Sequence, residues 1–261
     1  QPKNGFDIVT TINVNLQDIA ESALLKGLKI NDADYGSVIL MEVETGDIKA
    51  ISNFSKNKSG YYTENYNYAI QGMHEPGSTF KLASILAYLE ETDSSIHDSI
   101  DTGEGEYKFY SELMKDHKPG GYGKITIKEV FEKSSNIGVA KMIDETFNRS
   151  PQIFLDYLRR FGFNDNFDFQ IFGSSKPQIK NSEDSTWSKV SLPWIAHGYE
   201  LMLTPLHTLS FYNAVANNGI YVQPRIVSNV KSANRLIEKF DNSTTKNIAG
   251  IRSINTVKKL L

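Results

Sequence analysis

One break in the chain constrains how the segment after it folds. Pro76-Gly77 stops any preceding element, and Ser78-Thr79-Phe80-Lys81 then runs straight into a helical pattern. Leu82, Ile85, Leu86 and Leu89 recur at the spacing of one helix face, which predicts a helix over Lys81–Glu91 with Ser78 at its N-terminus. The unpaired backbone N–H groups and the positive end of the macrodipole at that position favour an alkoxide or a developing oxyanion. Lys81 stands one turn further on and on the same side, within reach of the Ser78 hydroxyl. A serine hydroxyl is a poor nucleophile at neutral pH, and a lysine whose pKa is lowered by burial is able to take its proton. Taken alone, Ser-x-x-Lys also fits an N-cap serine followed by a solvent-facing lysine.

A second segment separates these readings. Thr126-Ile127-Lys128-Glu129 is a capping box, so a short helix starts there and delivers Ser134-Ser135-Asn136 at its C-terminal end; a further helix over Ile137–Thr146 comes next. A hydroxyl both donates and accepts, and a side-chain amide does the same toward a peptide group. The string Pro76-Gly77-Ser78-Thr79-Phe80-Lys81, followed by Ser134-Ser135-Asn136-Ile137-Gly138, resembles the transpeptidase domain of class B penicillin-binding proteins. Glu75 before the Pro-Gly is similar to the division-type branch of that family.

The resemblance implies an α+β fold of the β-lactamase/transpeptidase kind. A central antiparallel sheet is flanked by helices, and an all-helical subdomain carries the Ser-x-Asn motif. It also implies roles. Ser78 is the nucleophile, Lys81 the general base, Ser134 the hydroxyl that relays a proton between the lysine and the leaving amine, and Asn136 the amide that holds the substrate's peptide group. No cofactor or metal is implied. The implied partners are peptidoglycan stem peptides, β-lactam antibiotics and membrane proteins of division or elongation, with the catalytic domain on the outer face of the inner membrane.

Composition agrees with a globular chain. Its 261 residues are 39% apolar and 23% charged, enough for one large domain or two small ones. The net charge of −3 and a pI of about 6.0 give no polyanion-binding surface, which argues against nucleic acid. Without cysteine there is no thiol chemistry and no disulfide. No apolar run approaches the ~20 residues of a membrane span, and no charged-then-apolar leader opens the chain.

Elsewhere the pattern predicts a simple succession of elements. Ile8–Ile12 alternates as a strand, and a helix capped by Asn15 with Asp18 comes after it. Tyr35–Val43 and Asp47–Ser52 form a hairpin around Glu44-Thr45-Gly46-Asp47. Residues 53–72 lack period and read as a loop, and within them Lys58-Ser59-Gly60 copies the family's third motif out of order, a chance match. Asp116, His117 and His97 complete no metal shell. Ser150-Pro151 opens a helix that ends at Gly162, and residues 163–190 read as loop with short strand fragments. Thr204-Pro205 opens another helix, ended by Asn217-Asn218-Gly219 before the strand Ile220–Val222. His197 and His207 read as packing or helix-surface residues.

The chain also departs from the family. The third motif, a Lys-Ser/Thr-Gly strand expected beyond the Thr-Pro-Leu helix, is absent before Leu261. In the family that strand walls the cleft and gives an oxyanion-hole N–H, whose loss costs about 100- to 1000-fold in rate. Residues 1–261 are therefore expected to be one penicillin-binding transpeptidase domain, truncated at its C-terminus and lacking the last sheet strands and the membrane anchor, with weak or no activity as it stands. Two other readings stay open: a serine β-lactamase or β-lactam sensor, and a non-catalytic interaction module of the division machinery.

Overall fold

A computed structural model of the chain describes residues 5–167, 170–233, 235–241 and 245–261. They group into two compact units. The first holds the described residues within 5–73, 166–175 and 204–246, and the second holds 74–165, 176–203 and 247–261.

The first unit begins with β1 (Asp7–Thr10) and α1 (Val14–Ile30), continues through β2 (Tyr35–Met41) and β3 (Ile48–Lys56), and adds β4 (Tyr62–Thr63) and α2 (Tyr68–Gln71). The first helix starts two residues earlier than the sequence suggests. Asn13, not Asn15, is the N-cap, its side chain accepting from Leu16 N–H at 3.2 Å. β2 and β3 pair antiparallel from Tyr35↔Ser55 to Met41↔Ile48, and β4 extends the sheet on the β3 side. Gly46 at the hairpin turn has φ 68°, and a Cβ there would meet Gln223 O at 2.6 Å, so only glycine fits.

Helix α1 lies on this sheet. The Gln17 amide exchanges two 2.9 Å hydrogen bonds with the backbone of Ile51, and Leu28 packs where a side chain at Gly36 would stand. The expected loop over residues 53–72 is corrected here, since β3 runs to Lys56 and β4 and α2 come after it. Lys58-Ser59-Gly60 is the β3–β4 turn, organised by the Asn57 side chain, which accepts from the N–H groups of Ser59 and Tyr61.

The second unit opens with a 3₁₀ turn over Gly77–Phe80 that continues into α3 (Lys81–Glu91). This helix is buried almost all round. Ala83, Ser84 and Ala87 are as covered as Leu82, Ile85, Leu86 and Leu89, because their small side chains let neighbouring helices approach. β5 (Ser99–Asp101), β6 (Glu106–Phe109), β7 (Glu112–Lys115) and β8 (Lys124–Thr126) form two short ladders, β5 with β8 and β6 with β7.

Three helices come next: α4 (Ile127–Glu132), α5 (Asn136–Phe147) and α6 (Pro151–Arg160). The capping box over Thr126–Glu129 is present with both of its bonds. α5 and α6 both pack on α3, and they meet each other through the buried rings of Phe147 and Phe154. β9 (Gln178–Ile179), α7 (Ser191–Ala196) and β10 (Leu201–Met202) complete residues 176–203, with β9 and β10 paired.

The chain then returns to the first unit with α8 (Pro205–Ala216), capped by Thr204, and with β11 (Ile220–Val222), β12 (Val227–Ser232) and β13 (Arg235–Lys239). β1 pairs with β12, and β12 with β13, so the first strand of the chain is held by residues more than two hundred positions away. β14 (Thr245–Asn247) pairs with β11. The C-terminal helix α9 (Ile251–Val257) packs on α3 in the second unit.

Candidate active site

The site residues read from the sequence all fall in the second unit, on the 3₁₀ turn, on α3 and on the turn between α4 and α5. Gly77 enters the 3₁₀ turn with φ 55° and donates its N–H to Gly198 O at 3.0 Å. Gly198 approaches so closely that a Cβ on it would stand 2.1 Å from Gly77 O. Two residues before Gly198, Ala196 O accepts from Ser84 Oγ on α3 at 2.6 Å, so the end of α7 is strapped to the turn and helix that carry Ser78 and Lys81. Ser78 itself is exposed.

Lys81, the first residue of α3, is 1% exposed. Its ammonium donates to Ser134 O at 2.6 Å, Ser134 Oγ at 2.9 Å and Asn136 Oδ1 at 2.7 Å. The structure thus brings Lys81, Ser134 and Asn136 into one cluster. The expected reach of Lys81 toward Ser78 is not among these bonds. A charged amine has three donors and no lone pair, and all three are taken by the 134–136 turn. Burial pulls the Lys81 pKa down to about 8, while the Asp116 carboxylate pushes it back up.

The 134–136 turn is itself tightly held. Ser134 has φ 52°, a left-handed conformation uncommon for a residue with a side chain. Ser135 caps α5, its hydroxyl accepting Gly138 N–H at 2.9 Å. A Cβ at Gly138 would meet the Val130 side chain at 2.7 Å, so glycine there lets α5 start against α4. Asn136 Nδ2 donates to Lys115 O at 3.0 Å, which leaves Oδ1 facing the lysine.

Asp116 is the residue that sequence reasoning missed, having weighed it only as a metal ligand. Its carboxylate accepts from Ser135 Oγ at 2.8 and 3.1 Å and from Ile137 N–H at 3.1 Å, and it is 8% exposed. His117 and His97, weighed with it, are exposed. Nothing in the local pattern marks Asp116, because its partners lie 19 and 21 residues further on.

The two later histidines pack. His207 is 2% exposed, with its ring against Thr204 Oγ1 at 2.7 Å and tilted against the ring of Phe167. His197 is 6% exposed between the rings of Trp194 and Tyr199, and burial together with the Lys81 charge pulls its pKa down to about 4.

A buried amine, a serine in a left-handed turn that it bonds and an amide locked beside it form one hydrogen-bonded cluster, and Ser78, three residues before the amine, is exposed at the start of the same helix. Proteins of known kind share this chain's pattern. The family model described as the penicillin binding protein transpeptidase domain matches residues 36–259. The chain is 31% identical over 258 residues to peptidoglycan D,D-transpeptidase FtsI of Buchnera aphidicola, a match covering 94% of this chain and 42% of that protein. To FtsI of Escherichia coli K12 it is 27% identical over 225 residues, covering 83% of this chain and 36% of that protein. It therefore spans less than half the length of these relatives.

Among solved structures, penicillin binding protein 3 from Mycobacterium tuberculosis complexed with ampicillin superposes with a TM-score of 0.87 at 23% identity, covering 98% of this chain and 57% of that one. The transpeptidase domain of Burkholderia pseudomallei penicillin-binding protein 3 gives 0.81 at 19% identity, covering 99% and 71%. At these identities the two likenesses establish the α+β transpeptidase fold. The family match spans most of the chain and includes both motifs, and so the chain belongs to the penicillin-binding protein transpeptidase domain family.

Proposed function

We propose that the chain is the catalytic part of a peptidoglycan D,D-transpeptidase of the division-type branch, working through a serine acyl-enzyme. The observation that carries this reading is the Lys81 cluster. A fully buried lysine holds its pKa near 8 and bonds both the hydroxyl of Ser134 and the amide of Asn136. Names of relatives that are D,D-transpeptidases support the substrate class.

Neutral Lys81 takes the proton of Ser78 as Oγ bonds to the carbonyl carbon of a D-Ala-D-Ala terminus. The tetrahedral oxyanion forms at the helix N-terminus, where the positive end of the macrodipole favours it. Collapse breaks the C–N bond; the departing D-Ala nitrogen takes a proton from Ser134 Oγ, which is reprotonated by Lys81. Asn136 holds the substrate's peptide group. The amine of a neighbouring stem peptide then attacks the acyl-enzyme by the reverse proton path, restoring Ser78. The bonds between Lys81 and Ser134 support this relay, since they link base and shuttle directly.

The acceptor and donor peptides lie in cell-wall material, which places the working site outside the cytoplasm. Membrane partners in septal synthesis and attachment to the inner membrane complete the proposal. Among the described residues no helix is long and apolar enough to cross a membrane. A chromogenic cephalosporin separates the proposal from the β-lactamase reading. Stable acylation without continued colour release is expected, and sustained turnover would contradict it.

A further inference from the structure

Among the buried groups of the second unit, the Asp116 carboxylate has more bonds to the catalytic turn than any structural need of its own hairpin requires. It closes the β6–β7 hairpin through its backbone N–H, which donates to Gly105 O at 2.9 Å. Its side chain points the other way, onto the start of α5. There it takes the Ser135 hydroxyl and the Ile137 N–H, and so anchors the residues on both sides of Asn136. The preceding residue, Lys115, supplies through its carbonyl the acceptor for Asn136 Nδ2. Two adjacent residues of one hairpin thus fix the side chain of Asn136 and the backbone around it.

The consequence reaches Ser134. Its left-handed backbone costs of order 1 kcal/mol and persists only where neighbours over-determine it. Ser135 supplies that constraint. Its N–H is tied to Val130 O at 2.9 Å, and its hydroxyl is clamped between Asp116 and Gly138 N–H. With the turn so held, Ser134 O and Oγ both face the Lys81 ammonium. The carboxylate acts on the same lysine through space. The titratable groups that face Lys81 are Asp116, whose charge favours the ammonium, and His197, which burial keeps neutral.

Resting on the proposed transpeptidase reading, we infer that Asp116 is a positioning residue of the reaction. It holds Ser134 and Asn136 against Lys81 by clamping Ser135, and its charge holds back the proton that burial loosens on that lysine. It touches neither substrate nor nucleophile. Removing the charge while keeping an acceptor and removing the clamp while keeping the charge have different effects. Asp116→Asn keeps an oxygen for Ile137 N–H and Ser135 but takes the negative charge away, so the Lys81 midpoint moves down by about half a pH unit or more. Ser135→Ala keeps the charge and loses the clamp. It leaves the midpoint near its wild-type value and lowers the plateau rate of penicillin acylation by about tenfold or more.

The Lys81 midpoint is read from the side-chain NMR signals of labelled lysine across pH 6–11, with Lys81→Arg to assign the resonance, and it requires no catalysis. A downward shift in Asp116→Asn with an unshifted Ser135→Ala supports the inference. An unshifted Asp116→Asn overturns it, as does a Ser135→Ala plateau equal to wild type. If no variant and no wild-type chain acylates, the titration alone decides the electrostatic part. Thermal melts of both variants show whether the second unit is folded in each.

Discussion

At the scale of single residues, the functional group to explain is an amine buried to 1% exposure with three acceptors around it. An unburied lysine at 10.5 would be neutral in about one molecule in three thousand at pH 7, whereas a pKa of about 8 leaves about one in ten neutral. Acylation should therefore rise with pH and level off above about 8, as measured by the second-order rate of penicillin labelling.

The same shift bears on stability. The folded pKa lies below the unfolded one, so the unfolded chain binds more protons between about pH 8 and 10.5, and stability gains from this group as pH rises through that window. The gain of wild type relative to Lys81→Met across the window should be about 3 kcal/mol by chemical denaturation. Ser134 shows the opposite tension. Replacing it with Gly releases the left-handed strain at φ 52° and should stabilise the fold by up to about 1 kcal/mol, while labelling falls by about a hundredfold or more with the proposed relay hydroxyl gone.

Elements place these residues, and α4 is the lever that delivers Ser134. Its capping box joins Thr126 to Glu129, whose carboxyl is held down to about 2 by the Lys133 ammonium and by the backbone and side chain of Thr126. Thr126→Ala should cost about 1 kcal/mol in thermal melts at neutral pH. A depressed carboxyl contributes above its unfolded pKa and loses that contribution as pH falls through its folded one. The difference between wild type and Thr126→Ala should therefore shrink between about pH 4.5 and 2.

This box was legible, as were α3, α5 and the β2–β3 hairpin, because each carries its cause within a few residues: a cap, a period or a turn glycine. The β6–β7 hairpin was not. Its turn is Tyr110-Ser111, with Tyr110 at φ 51° in place of a glycine signal, and only Phe109 and Met114 face inward. Nor was α2, a single turn whose Ala69 N–H is held by Asn53 from sixteen residues away. The start of α1 differed because Asn13 and Asn15 are equal candidates by type, and only the placement of Val14, 71% exposed at the first helical position, selects the former.

At the scale of the whole molecule, distant parts of the sequence meet through polar groups that carry no local mark. In the first unit the Arg225 guanidinium takes Asp47 Oδ1 through Nε at 2.7 Å and Nη2 at 2.5 Å, and it also bonds Phe240 O. Thr11 Oγ1 adds bonds to Ile48 O and Arg225 O. Asp47 is 8% exposed and keeps only Lys49 Nζ, at 3.2 Å, once Arg225 is removed, so Arg225→Ala should destabilise by about 2 kcal/mol, seen as a lower denaturation midpoint. Asp47→Asn in that background should recover part of the loss.

The pairing of β1 with β12 was equally hidden, since strand alternation shows that a strand exists and not which partner it finds. In the candidate site, Ser78, Lys81, Ser134 and Asn136 could be named from residue type and motif, whereas the Asp116 clamp, made of contacts across a hairpin, could not.

The proposed chemistry turns on Ser78 as the nucleophile and Lys81 as its base. The most direct measurement is the intact mass of the chain after incubation with benzylpenicillin, run beside Ser78→Ala and Lys81→Ala. One penicilloyl addition on the wild-type chain, absent from Ser78→Ala and slowed by about a thousandfold or more in Lys81→Ala, is the expected result. An adduct of equal extent on Ser78→Ala would contradict it.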